Sequence, residues 1–243
     1  MARQSIQHIL CINSGSSSLK FHVYRMGDGE QVLLRGAVQD IAQEDGRLWF
    51  ADADGHSIVQ RPLGKIDHEA AIEEALCELD RTGLPSLDAI GHRMVHGGPK
   101  HQAPELLTPG LLEDLRRHIP WAPLHLPASL MVVAVLSAHY PDLPQVACFD
   151  TSFHAGMPEV ARRLPLPTSF HEEGIHRYGF HGLSYEYILG ALGEEGAGRL
   201  VMAHLGNGAS MVACLDGRPL DTTMGMTPLG GFMMGTRTGD LDP

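Results

Sequence analysis

Apolar and polar positions alternate early in the chain. Residues 8–12 are apolar and β-prone, residues 14–18 form a small polar stretch, and residues 21–25 resume the alternation, which predicts a hairpin. Further β-like stretches follow at 32–38 and 48–51. From Asp67 the period changes. Ile72, Ala75, Leu76 and Leu79 fall on one helical face, Asp67 precedes them as an N-cap and Gly83 follows as a stop. A short strand is expected at 89–95. Thr108-Pro109 opens a second helix through Ile119, residues 127–139 read as a more buried helix, and residues 145–150 return to strand. Strands alternating with helices imply an α/β layered fold.

The second half repeats the opening theme, with strands at 200–205 and 210–215 around a tight polar turn at 206–209. Duplication of a hairpin-led α/β unit would set the two Gly/Ser/Asn turns opposite each other across a cleft, as a phosphate clamp. Two ordinary hairpin turns account for the same residues equally well.

Composition narrows the classes. The chain has 243 residues, 43% of them apolar, enough for one large domain or two medium ones. Against 18 basic residues stand 29 acidic ones, a net charge of −11, which disfavours a broad nucleic-acid or anionic-lipid surface. Cys11, Cys77, Cys148 and Cys214 are far apart, without metal-ligand spacing, and read as buried free thiols of a reducing cytoplasm. Neither a signal-peptide pattern nor an apolar run long enough to span a membrane is present, so a cytoplasmic protein is expected.

Several segments carry candidate chemistry. In Asn13-Ser14-Gly15-Ser16-Ser17-Ser18-Leu19-Lys20, glycine permits a close turn, serines supply hydroxyl and amide donors, and lysine adds a cation, a set that suits phosphate oxygens. It is not the P-loop pattern. His204-Leu205-Gly206-Asn207-Gly208 is a second donor turn. Arg93 interrupts an apolar strand, where a buried guanidinium needs an anion; a structural ion pair and a bound carboxylate both satisfy that need. Asp150 ends a strand, and strand carboxyl ends line ligand crevices in open α/β sheets. Of the 15 histidines none forms a zinc-hydrolase motif, but His181 stands between small residues that leave it accessible. Arg237 lies in a flexible loop and would ordinarily be a solvated charge.

In order along the chain, NSGSSSLKF, GHRMVHGG, APLHLP, FDTSFH, RYGFHG, HLGNGAS and TPLGGFMMGTRTGDLDP resemble the acetate kinase family. The resemblance implies an actin-like (ribonuclease H-like) ATPase fold of two similar domains. Residues 1–150 would be the first, with the phosphate hairpin and a carboxylate-binding arginine, and residues 151–243 part of the second, with the other phosphate turn. It implies reversible ATP-dependent phosphorylation of acetate, with propionate left open, aided by magnesium, and a pairing of copies as homodimers. Asn13 would meet the metal, Ser16, Ser18 and Lys20 the nucleotide phosphates, and His204, Leu205, Gly206, Asn207 and Gly208 would form the opposing phosphate turn. Arg93 and Arg237 would bracket the carboxylate and the moving phosphoryl group. His181, with His125 nearby, would stabilise the transition state, and Asp150 would be the catalytic acid residue. Val95, Leu124, Phe180 and Pro228 would wall the pocket for the substrate's methyl.

The chain departs from the family pattern at Leu126, Leu183, Tyr185 and Gly230, all neighbours of the implied site. Tyr185 stands where the family has histidine. The family's pattern also runs on past Pro243, into Gly-rich adenosine-binding segments. The second domain is therefore expected to be incomplete, and the chain by itself to bind adenine nucleotide poorly. A catalytically inactive remnant or interaction module is the alternative reading.

Overall fold

The computed structural model describes residues 6–241. Residues 1–5 and 242–243, and with them the end of the final motif, lie outside the described residues. The strands are β1 (Gln7–Ser14), β2 (Ser18–Met26), β3 (Glu30–Gln39), β4 (Arg47–Asp52), β5 (Ser57–Pro62), β6 (Ala89–Met94), β7 (Glu105–Leu106), β8 (Gln145–Phe149), β9 (Arg199–Leu205), β10 (Ala209–Leu215) and β11 (Arg218–Thr222). The helices are α1 (His68–Arg81), α2 (Pro109–Arg117), α3 (Leu126–His139), α4 (Glu159–Arg162), α5 (Thr168–Glu172) and α6 (Gly182–Leu192).

The chain divides into two compact units. The first comprises Met1–Met94, Glu105–Glu113 and Leu124–Ala147, and the second Val95–Pro104, Asp114–Pro123 and Cys148–Pro243. The first is built on a mixed sheet of order β5-β4-β3-β2-β1-β6-β8-β7, in which β1 pairs antiparallel with β2 and parallel with β6. Alternation along these strands sends Leu10, Ile12, Leu19, Phe21, Val23 and Ile90 to one face, where Ile72, Leu76 and Leu79 of α1 and Val132 and Leu136 of α3 cover them. Helix α1 starts where its capping residue predicts, with Asp67 Oδ1 accepting the Ala70 N–H at 2.9 Å.

In the second unit, β9, β10 and β11 form an antiparallel sheet. Met202, Val212 and Cys214 pack on Tyr185, with Ile188 and Leu189 of α6 beside them. The β9–β10 hairpin forms around the expected Asn207-Gly208 turn.

Two expectations need correction. The helix expected through Ile119 ends at Arg117, and Ile119–Trp121 make a separate 3-10 turn around Pro120, which has no N–H to donate to a helix. All four cysteines are free, but only Cys214 is buried; Cys77 is exposed because it continues the polar stripe of Glu69 and Glu73 on α1.

Candidate functional site

In the first unit the parallel register of β1 on β6 aligns Ile12 with His92, which makes Asn13 and Arg93 neighbours one step further on. Arg93 does not sit in a dry strand interior. The β6 pattern alternates, placing His92 and Met94 in the core and Arg93 on the half-buried face, where Nη1 donates to Asn13 Oδ1 at 2.8 Å. Lys20 is the cross-strand partner of Asn13 on β2. Asn13, Lys20 and Arg93 therefore share the sheet face opposite α1 and α3. Between the strands, Gly15 N–H donates to Ser18 O at 2.7 Å and closes the turn, leaving Ser16 exposed and Ser18 half-buried. Ser14 Oγ lies 3.0 Å from Ser129 Oγ of α3, a buried tie between the turn and the helix below it. His125 stands half-buried at the start of α3, and Leu124 before it is 71% exposed.

Further along this face, His22 is held below the usual imidazole range, first by burial and then by the Arg35 and Lys20 charges.

In the second unit Asp150 follows β8 directly and is buried. Its carbonyl accepts the Gly182 N–H at 2.8 Å. A Cβ on Gly182 would lie 2.4 Å from that oxygen, so only glycine lets α6 begin this close to the strand end. Glu186 of α6 is raised above the usual carboxyl range by burial and then by the Asp150 charge. Val95 and Phe180 are fully buried, and Phe180 meets His96 edge-on at 5.6 Å.

His181 caps α6 in the left-handed region at φ 61°. Its ring stacks on His204 at 4.0 Å and 15°, and its Nδ1 lies 2.8 Å from Ser210 Oγ. The His204 Nδ1 lies 3.0 Å from Ser184 Oγ. At the β9–β10 turn Leu205, Gly206 and Asn207 are exposed and Gly208 is half-buried. A Cβ on Gly208 would stand 3.1 Å from both His181 Nε2 and Arg237 Nη1, so a glycine opens the spot that these two nitrogens flank. Arg237 Nη1 donates to the Pro228 carbonyl at 2.8 Å. Pro228, expected as an apolar wall, thus also orients the arginine.

The structure brings Asn13, Lys20 and Arg93 together in one unit, and His181, His204, Gly208, Pro228 and Arg237 in the other. Ser129, Ser184 and Ser210 were not singled out in the sequence, since a lone serine in a strand or helix carries no signal of its own. Among the described residues, Asp52, Asp54 and His56 form the one group of three side chains spaced for a metal ion, at the exposed β4–β5 turn. There Asp52 Oδ1 already accepts the Asp54 and His56 N–H groups and closes the turn. No helix among the described residues is long and apolar enough to cross a membrane.

The model of the acetokinase family matches residues 8–243. The acetate kinase of Streptomyces griseus is 44% identical over 97% of this chain and 60% of its own length, and that of Deinococcus radiodurans 45% identical over 96% and 60%. Among solved structures, a propionate kinase from Francisella tularensis superposes with a TM-score of 0.87 at 36% identity, and Porphyromonas gingivalis acetate kinase with 0.81 at 38%; each match covers 98% of this chain and 62% of the other. The chain spans about 60% of the length of the curated relatives it matches. With a family match over nearly all of its residues and the fold those kinases share, the chain belongs to the acetokinase family.

Proposed function

We propose that the chain takes part in phosphoryl transfer between ATP and a short carboxylate, acetate first and propionate second, as an acetate kinase. The observation that carries this reading is the convergence of His181 Nε2 and Arg237 Nη1 on the side-chain-free turn at Gly208. Two N–H donors beside a bare backbone turn suit an anion whose charge is spread over several oxygens.

In this reading the turn of Ser16 and Ser18, with Lys20, and the turn from His204 to Gly208 hold phosphate oxygens. Arg93 grips the carboxylate, and Val95, Leu124, Phe180 and Pro228 bound its methyl. A carboxylate oxygen attacks the γ-phosphorus in line, the new P–O bond forms as the bond to the bridging oxygen breaks, and the electron pair leaves on ADP. A carboxylate is already ionised near neutral pH, so no general base is required. The protein's work is positioning and charge neutralisation, which His181 and Arg237 supply at the transferred group. His125 would assist at the same group. Asp150 then orients its neighbours rather than taking a proton.

Magnesium fits the residues present. Asn13 Oδ1 is a hard oxygen that accepts from Arg93 Nη1 and keeps a second lone pair for the ion. One or two protein oxygens completed by phosphate and water is how this ion is usually held. When bound, it would add positive charge beside the phosphates.

Trapping acyl phosphate with hydroxylamine, after incubation of the chain with ATP, magnesium and acetate, tests the reading. Hydroxamate that forms with the native chain and is lost in Arg237→Ala supports it. A folded chain that forms none and binds no nucleotide overturns it for this chain.

A further inference from the structure

His181 is held from behind by two residues to which no role attaches so far. Its Nδ1 lies 2.8 Å from Ser210 Oγ, and that oxygen lies 2.5 Å from Tyr185 Oη. Ser210 and Tyr185 are both completely buried, so no bulk water competes for these contacts. A serine hydroxyl has one proton to give and lone pairs to receive. Of its two partners here, the phenol is the stronger acid and the imidazole nitrogen the stronger base. Donation therefore runs from Tyr185 O–H to Ser210 Oγ, and from Ser210 O–H to His181 Nδ1. The reverse sense would require the Tyr185 proton to find another acceptor.

An Nδ1 that accepts places the ring proton of neutral His181 on Nε2. We propose that Tyr185 and Ser210 are positioning residues that lock His181 as the Nε2–H tautomer, so that the ring presents a fixed donor beside Arg237 at the Gly208 turn. The other tautomer would turn a lone pair toward that turn and repel an anion there. Stacking on His204, whose own Nδ1 meets Ser184, stops the ring from swinging out of line. Strain supports the same view: His181 occupies the left-handed backbone region, uncommon for a residue with a side chain, and tertiary contacts must hold it there.

The benefit of the locked tautomer rests on the phosphoryl-transfer reading, but the tautomer can be measured without it. Long-range 1H–15N correlation spectra of the whole chain labelled at histidine report which ring nitrogen of His181 carries the proton. We expect an unprotonated Nδ1 and a protonated Nε2 in the native chain, and a mixture of tautomers in Ser210→Ala. Tyr185→Phe keeps the packed ring and loses only the hydroxyl, so it should shift the same signals by a smaller amount and serves if Ser210→Ala fails to fold. In acyl phosphate formation, kcat should fall roughly tenfold to a hundredfold in Ser210→Ala, the range common for residues that orient an active group, with the carboxylate KM changed less than about twofold. A native ring protonated on Nδ1 overturns the proposal, as does a tautomer that survives both substitutions. A chain without kinase activity whose His181 spectrum follows the expected pattern would instead count against the functional reading alone.

Discussion

Acid should destabilise this protein before its carboxylates are protonated, because three imidazoles are buried without charge. Burial pushes His92, His96 and His154 down to about 4 from the ordinary 6.5. The sign follows from linkage. Between about pH 6.5 and 4 the unfolded chain takes up a proton at each of these residues and the folded chain does not, so stability is full above pH 6.5 and falls as pH drops toward 4. Going from pH 7 to pH 5 costs about 2 kcal/mol per ring, so about 2 kcal/mol in the first unit and about 4 kcal/mol in the second, against a typical domain stability of roughly 5–15 kcal/mol. His92 belongs to the first unit and bonds Gln145 Oε1 at 2.7 Å; His96 and His154 belong to the second. Urea unfolding followed by circular dichroism at pH 7, 6 and 5 should show a midpoint that falls steadily. His92→Gln, which retains a donor for Gln145 without a titrating ring, should remove about 2 kcal/mol of that pH dependence. A midpoint that stays level from pH 7 to pH 5, or a slope unchanged in His92→Gln, would refute the reasoning.

Other substitutions isolate other links. Gly208→Ala puts a methyl 3.1 Å from both His181 Nε2 and Arg237 Nη1. It should cut acyl phosphate formation at least about tenfold, with the melting temperature hardly moved because the turn is near the surface. Asp150→Asn should lower turnover by a similar factor if the buried carboxylate orients the site; a variant with native turnover removes Asp150 from the machinery. Asp67→Ala deletes the α1 cap and should cost about 1 kcal/mol in urea titrations without altering kinase activity.

Elements with a strong local cause were legible in the sequence. Asn207-Gly208 dictates its hairpin, and the Asp67 cap with its stripe of Ile72, Ala75, Leu76 and Leu79 dictates α1. Less visible were β5 and β11, whose segments are short, polar and punctuated by Pro62 and Pro219. For β11 the Asp216-Gly217 turn, with both residues at positive φ, was the available signal. Helix α6 is not legible in GLSYEYILGAL, which mixes two glycines with aromatics. It forms because Tyr185, Ile188 and Leu189 find the buried face of β9 and β10. By sequence alone Arg93 is a cation in a dry strand, because runs such as GHRMV do not reveal which face each residue takes. Only the pairing of β6 with β1 gives Arg93 an outward position and Asn13 as its partner.

The supporting contacts of the candidate site were the least legible, and the reason is physical. The residues that would touch an anion lie on turns and strand ends, where Gly, Ser, Asn and Arg violate the apolar pattern and so attract notice. The groups that aim them obey the pattern. Ser210 occupies an ordinary inward position of β10, and Ser129 an ordinary inward position of α3; each becomes informative only when another hydroxyl is found within 3.0 Å of it, at a sequence distance of 25 residues for Tyr185 and 115 for Ser14. A buried hydroxyl must find a partner, so such pairs are obligatory once the fold forms. They therefore tie the turn at Ser14–Ser18 to α3, and His181 to the β10 strand, through contacts that a bare list of ligand-touching residues would omit.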